Sequence, residues 1–440
     1  MKEVELSLHN PSNQTKTMFA TPFTEEDWHP DDLKMFRFLK GVLNRIDIGY
    51  IATYPPQECG IATFTKDLAT AISKYTPFSN PAVVAVSEAG LIEQYPKIVK
   101  YCITKSDQNS YLEAADFLNK SSVGIVSLQH EYGIFGGPDG EYILSLLEKL
   151  QKPVVTTLHT ILFYPTENQK RIIQRIAELS ASLVVMVKMG KKMLIEGYGI
   201  APEKIVIIPH GVPNVHRVSA NMVKKSLGIQ NRPVLSSFGL INRGKGLEYV
   251  IQAMPRILQK HPNALYLVLG ETHPGVRNFE GESYRQELLR LVAELGLTKN
   301  VLFNNRFLTL EELINYLCAT DIYITPYINK DQIVSGTLAY ALGCGKAIIS
   351  TPYLYAEEVL SNGRGVLVDF RNSDQIADAV DRILSDPAFR EQLESKAYKY
   401  GRRAAWFNVA IDYLDLFDRI RQPKNTSTRK QAKVEAKGRR

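Results

Sequence analysis

At 440 residues and 45% hydrophobic content, the chain can bury a large core and has room for two domains. Its formal charge of +7 is uneven: residues 422–440 hold seven Lys/Arg and one Glu, so this tail supplies +6 and everything before it only +1. Basicity confined to a tail argues against a nucleic-acid partner, and four scattered cysteines without CxxC spacing argue against a disulfide framework or a zinc site.

In chain order, residues 1–45 read as an N-terminal extension. Their TEEDWHPDD stretch lacks the basic-then-apolar order of a signal peptide. No apolar run reaches the ~20 residues needed to cross a bilayer, so the expected location is cytoplasmic. From Ile46, short Val/Ile-rich runs alternate with helical patterns. Strands are expected at 46–54, 123–130, 153–159, 181–187 and 204–211, then again at 233–240, 264–270, 300–305, 321–327, 346–351 and 365–370. Continuous apolar strands separated by helices belong to parallel sheets covered on both faces. Eleven strands are too many for one comfortable sheet, and PHGVPNVHRVSAN (209–221) makes a natural linker. The expected fold is α/β, with two Rossmann-like doubly wound domains facing across a cleft, at 46–215 and 216–400. A last helical stretch at 401–421 should pack on another part of the chain. The polar, basic tail 422–440 should be disordered, and suits weak peripheral contact with an anionic membrane surface.

In open α/β sheets, ligands sit beyond the carboxyl ends of the strands. Those ends carry Gly60, which opens a helix, His130-Glu131, His159-Thr160, His210-Gly211, Gly239 followed by the NRGKG stretch with Arg243 and Lys245, and Ser335-Gly336-Thr337 at the start of another helix. No Walker loop is present, and no GxGxxG follows the first strand, which argues against P-loop NTPases and simple NAD enzymes. Arg243, Lys245 and the helix N-terminus at Ser335-Gly336 would form a diphosphate-sized set of positive groups on one wall. The other wall would offer His130, Glu131 and His159 to a second substrate.

The order of TLHT, IPHGV, SFGLINRGKGLEYVIQAM, GESYRQELLRLVAELGL, DIYITPY, ALGCGKAIIST and AEEVLSNGRGVLV resembles the family-4 retaining glycosyltransferases of GT-B fold, from about Ile46 to Ile420. The resemblance implies a hexose donated from a nucleotide diphosphate sugar, UDP- or GDP-hexose, to a glycan or small hydroxyl acceptor, with no metal or other cofactor. It also implies that the last helix crosses back to the first domain. By position it gives Lys245 a contact with the donor diphosphate, and Ser335, Gly336 and Thr337 a phosphate-binding turn. Gly60 and Gly239 would lie beside the diphosphate, His159 near the transferred sugar, and Glu358 on a loop lining the sugar site. Two departures stand out. The family's Glu-x7-Glu pair falls on Gln332 and Tyr340, here expected to serve hexose and ribose, and its arginine after the strand glycine falls on Leu240, leaving Arg243 to reach the phosphate. Alternative readings are a noncatalytic nucleotide-sugar-binding scaffold and another GT-B enzyme such as a sugar-nucleotide epimerase.

Overall fold

The computed structural model describes residues 46–88, 93, 95–217 and 219–421; the extension 1–45 and the tail 422–440 lie outside the described residues. Two parallel sheets form. The first holds β1 (Ile48–Ala52), β2 (Ala82–Ser87), β3 (Val99–Thr104), β4 (Ile125–His130), β5 (Val154–Leu158), β6 (Ser182–Val185) and β7 (Ile205–Ile207), in the order β3-β2-β1-β4-β5-β6-β7. The second holds β8 (Val234–Phe238), β9 (Leu265–Leu269), β10 (Val301–Asn304), β11 (Ile322–Thr325), β12 (Ala347–Ser350) and β13 (Val366–Leu367), in the order β10-β9-β8-β11-β12-β13. Every neighbouring pair is parallel. Both orders reverse direction beside the first strand of the sheet, so each domain has a switch point, β1/β4 in one and β8/β11 in the other.

Eleven strands were expected and thirteen form. The two additions are β2 and β3, at the far end of the first sheet. β3 is an edge strand whose Lys100 faces solvent, which breaks the apolar run that marks a doubly buried strand. β2 is a short Ala/Val run wholly covered by its neighbours, with no polar punctuation to set its period.

The last described helix, Trp406–Arg421, does cross back. Val409, Ala410, Tyr413, Leu416 and Phe417 join Ile48, Tyr50, Phe64 and Leu68 in one apolar cluster of the first domain. The Tyr413 hydroxyl lies 2.8 Å from Thr157 Oγ1 of β5, a pairing that satisfies both buried groups. The chain therefore passes between domains twice, and the two passages are tied together. Val212 N–H donates to Ala404 O (2.8 Å), and Trp406 N–H donates to Val212 O (3.0 Å). Gly211 lets this happen, because a Cβ there would sit 2.2 Å from the Trp406 ring.

Candidate functional site

Both switch points face the interdomain cleft. On the second-domain wall, β8 ends at Phe238 and the chain turns through Gly239, whose φ of 123° suits only glycine. A side chain here would also crowd the site, since its Cβ would lie 3.1 Å from Thr337 Cγ2 and 3.7 Å from Lys245 Nζ. Lys245 closes a short 3₁₀ turn, Arg243–Lys245, and reaches back to donate to the Tyr327 hydroxyl (2.7 Å). Tyr327 follows β11, and its hydroxyl lies 2.7 Å from Thr337 Oγ1. Ser335 caps the helix Gly336–Gly343 by accepting from Leu338 N–H (3.3 Å). Gly239, Lys245, Ser335, Gly336 and Thr337, expected together from the sequence, do converge. A fixed cation and a helix N-terminus at one point make a place for an anion.

Arg243 does not join them, and this corrects the expectation. Its guanidinium makes a bidentate pair with Glu287 (2.7 and 2.8 Å) and approaches Glu280 (3.4 Å) on the outer surface. The cause is local: on a 3₁₀ turn of about three residues, positions two apart cannot share a face. With Lys245 turned inward, Arg243 turns out.

Three other residues have partners the sequence did not show. Tyr340, expected at a ribose, is buried, and its hydroxyl donates to Asp67 Oδ2 (2.6 Å) of the first-domain helix Gly60–Tyr75. Gln332, expected at the hexose, turns its amide onto Val334 O (2.8 Å). Glu358 spans the domains: its carboxylate accepts from Lys188 N–H (2.8 Å) and Met189 N–H (3.0 Å), at the N-terminus of the first-domain helix Lys188–Tyr198. That helix has no side-chain cap of its own, so Glu358 satisfies orphan amides that would otherwise need water.

On the first-domain wall, Gly60 opens its helix behind the N-cap Cys59, and the space beside its Cα is open. His159 donates from Nε2 to Gln129 Oε1 (3.0 Å), so its Nδ1 is the unprotonated nitrogen. Burial pushes its pKa down to about 3, which keeps the ring neutral. His130 is fully buried, stacks on Phe135, and its ring nitrogens have no hydrogen-bond partner among the described residues. Burial likewise pushes it down to about 3. Glu131 accepts from the Thr160 hydroxyl. Burial raises its pKa, against hydrogen bonds from Thr160, Gly133 and Tyr132 that lower it.

Sequence reasoning missed Tyr327, and it placed His210 at a strand end without giving it a role in this centre. His210 donates from Nδ1 to Gly211 O (2.8 Å), which leaves Nε2 as the acceptor nitrogen. A Cβ on Gly336 would lie 3.0 Å from that Nε2, so the imidazole rests on the helix N-terminus. The Phe64 ring joins His210 (5.1 Å) to His159 (4.8 Å). The signal was the strand-end position of IPHG, but a strand end alone does not show which wall of the cleft the ring meets.

Glu58 of the first domain and Glu271 of the second lie close enough for their carboxyls to shift each other's titration. Hydrogen bonding to Glu271, then burial and repulsion from it, push Glu58 up to about 7. Glu271 is lowered, first by its hydrogen bond with Glu58 and then by Arg277, which pairs with it at 2.8 Å. An acid whose folded-state pKa is raised makes the folded protein hold the extra proton, so stability is highest below the unfolded value and falls as pH rises through both values. Glu271 has the opposite sign, and the buried neutral His130, His159 and His210 also oppose the Glu58 slope up to about pH 6.5, the ordinary imidazole value. The Glu58 share is therefore read as a difference: the unfolding temperature of wild type relative to Glu58→Gln should fall between about pH 5 and pH 7.5, on top of the opposite trend from the three histidines. A wild-type slope that survives in Glu58→Gln would assign the titration elsewhere.

Two parallel doubly wound sheets, with switch points facing across a cleft and a final helix returning to the first domain, define the GT-B architecture of glycosyltransferases. The family model of the glycosyl transferases group 1 matches residues 220–400, the second domain. A D-inositol 3-phosphate glycosyltransferase of Corynebacterium urealyticum is 26% identical over 262 residues, covering 57% of this chain and 59% of the relative. The chain spans about 60% of the length of the curated relatives it first matches. Among solved structures, HepE of Anabaena in complex with UDP and glucose has a TM-score of 0.66 at 14% identity, over 85% of this chain and all of that one. Sucrose-phosphate synthase of Thermosynechococcus elongatus has a TM-score of 0.71 at 17% identity, over 86% and 99%. At such identities the likeness is one of fold. Among the described residues, no helix is long and apolar enough to cross a membrane.

Proposed function

We propose that the chain is a retaining hexosyltransferase that moves a sugar from a nucleotide diphosphate donor to a hydroxyl acceptor without a metal. The observation that carries this reading is the placement of Lys245 beside the N-terminus of the helix Gly336–Gly343 at the β8/β11 switch point. Breaking a glycosyl–phosphate bond develops negative charge on the diphosphate and oxocarbenium character on the sugar. Fixed positive groups already in place stabilise that charge without reorganising, usually the largest catalytic contribution. The acceptor hydroxyl attacks from the face the phosphate leaves. Its oxygen forms the new bond to the anomeric carbon, the old carbon–oxygen bond breaks, and the departing phosphate oxygen takes the proton.

His159 and His210, both held neutral by burial, would orient hydroxyls rather than carry charge. The matched family and the relatives named for glycosyl transfer support this reading. The test is turnover of UDP-, GDP- and ADP-hexoses with and without glycan and small hydroxyl acceptors, with the product anomer read by NMR. Nucleoside diphosphate release that depends on acceptor, with an axial donor giving an axial product, is the expected result. Saturable donor binding with no release under any acceptor would make the chain a scaffold. An epimerised donor would make it an epimerase.

A further inference from the structure

Tyr327 has no place in the reading above, yet it occupies the centre of the cationic wall. Its ring lies stacked against Tyr353 (5.1 Å between centroids, 19° between planes), which fixes where its hydroxyl points. That hydroxyl meets Lys245 Nζ at 2.7 Å and Thr337 Oγ1 at 2.7 Å, while Thr337 Oγ1 is 3.1 Å from Ser335 Oγ. Nζ also sits 4.1 Å from the ring centroid. A lysine ammonium only donates, so the phenol oxygen accepts from Lys245. The phenol then has its own proton to place, and Thr337 Oγ1 is the hydroxyl within reach. Once Thr337 accepts, its own proton can turn to Ser335 or out to an incoming anion. Ser335 already accepts from Leu338 N–H. The lysine charge thus sets the direction of the whole chain of hydroxyls, and hydrogen bonds polarised in series strengthen one another.

Resting on the proposed function, we propose that Tyr327 is a positioning residue that fixes Lys245 and relays its charge to the Thr337 hydroxyl, making Thr337 a donor to the diphosphate of the nucleotide sugar. Burial alone would raise the phenol's pKa. The charge of Lys245 and hydrogen bonding with Lys245, Thr337 and Ser335 outweigh it and leave the group below its ordinary value, in keeping with a phenol polarised by a cation. The sugar itself need not touch Tyr327.

The test is calorimetric titration of UDP, GDP and ADP, each against its monophosphate, on the whole protein. For the base that wild type binds, Tyr327→Phe should weaken the diphosphate by about tenfold and the monophosphate by less than about twofold. Phenylalanine keeps the stack on Tyr353, and retained monophosphate binding reports an intact fold. Thr337→Val should lose about as much as Tyr327→Phe, and the double variant no more than about twofold beyond either, because residues of one network are not additive. Thr337→Ser should restore most of what valine loses. Unchanged diphosphate affinity in Tyr327→Phe, equal losses for mono- and diphosphate, or full additivity in the double variant would overturn the relay and leave the proposed function standing. Wild type that binds none of the three diphosphates would overturn both.

Discussion

Lys245→Ala is expected to lower turnover by about 10²-fold, the loss typical of one preorganised stabiliser of transition-state charge. The ammonium reaches Tyr327 and the Gly239–Thr337 surface from a turn, and the buried Tyr327 keeps its stack on Tyr353 and its Thr337 partner without it. The fold should therefore survive, and thermal unfolding should change little. Arg243→Ala is the matched comparison. Its guanidinium is exposed and spent on Glu287 and Glu280, pairs that contribute about 0–1 kcal/mol on a surface. Turnover in that variant should stay within about threefold of wild type. Near-normal turnover in folded Lys245→Ala, or equal losses in the two variants, would remove the inward-turned lysine from the chemistry.

The second large effect is on stability. Phe417→Ala should cost about 3–5 kcal/mol, the range for emptying a fully buried aromatic position. Phe417 packs against Tyr413 (5.8 Å between ring centroids) in the cluster shared with Ile48, Tyr50 and Phe64. The residue lies late in the chain, yet the loss should appear in the first domain. Hydrogen exchange would show this as faster exchange in β1 and β4 with β8 and β11 little changed. Uniform loss across both domains, or none, would mean that the helix Trp406–Arg421 is not integral to the first core.

Several features were legible because they depend on local pattern. Parallel strands announce themselves as apolar runs, and the small residues at 335–337 mark a helix N-terminus before any contact is known. Lys245 and Gly239 could be placed for the same reason, since a strand end leading into a glycine-rich turn has few ways to fold. What was not legible depends on the other domain or on which way a side chain turns. Tyr340 lies on a helix that the pattern identified, but Asp67, 273 positions earlier, decides where its hydroxyl goes. Glu358 reads as part of a loop near the sugar, whereas its partners are backbone amides of the first domain that no residue type could reveal. Arg243 and Lys245 look equivalent in the sequence, and a single tight turn separates them. Tyr327 looked like the end of a strand because its role rests on a stack with Tyr353 and a lysine 82 positions away.

The cap that Glu358 provides changes how charge is distributed around the cleft. Among the helices that begin at the carboxyl edges of the sheets are those at Gly60, Lys188 and Gly336. Each start carries about half a positive charge. Glu358 neutralises the one at Lys188 from within the chain, while the first turns at Gly60 and Gly336 contain no acid. These two belong to opposite domains, and Lys245 adds a full charge on the second-domain side. A dianion placed between the two helix starts would be attracted from both domains at once, and so would act as a counter-ion shared by the two walls.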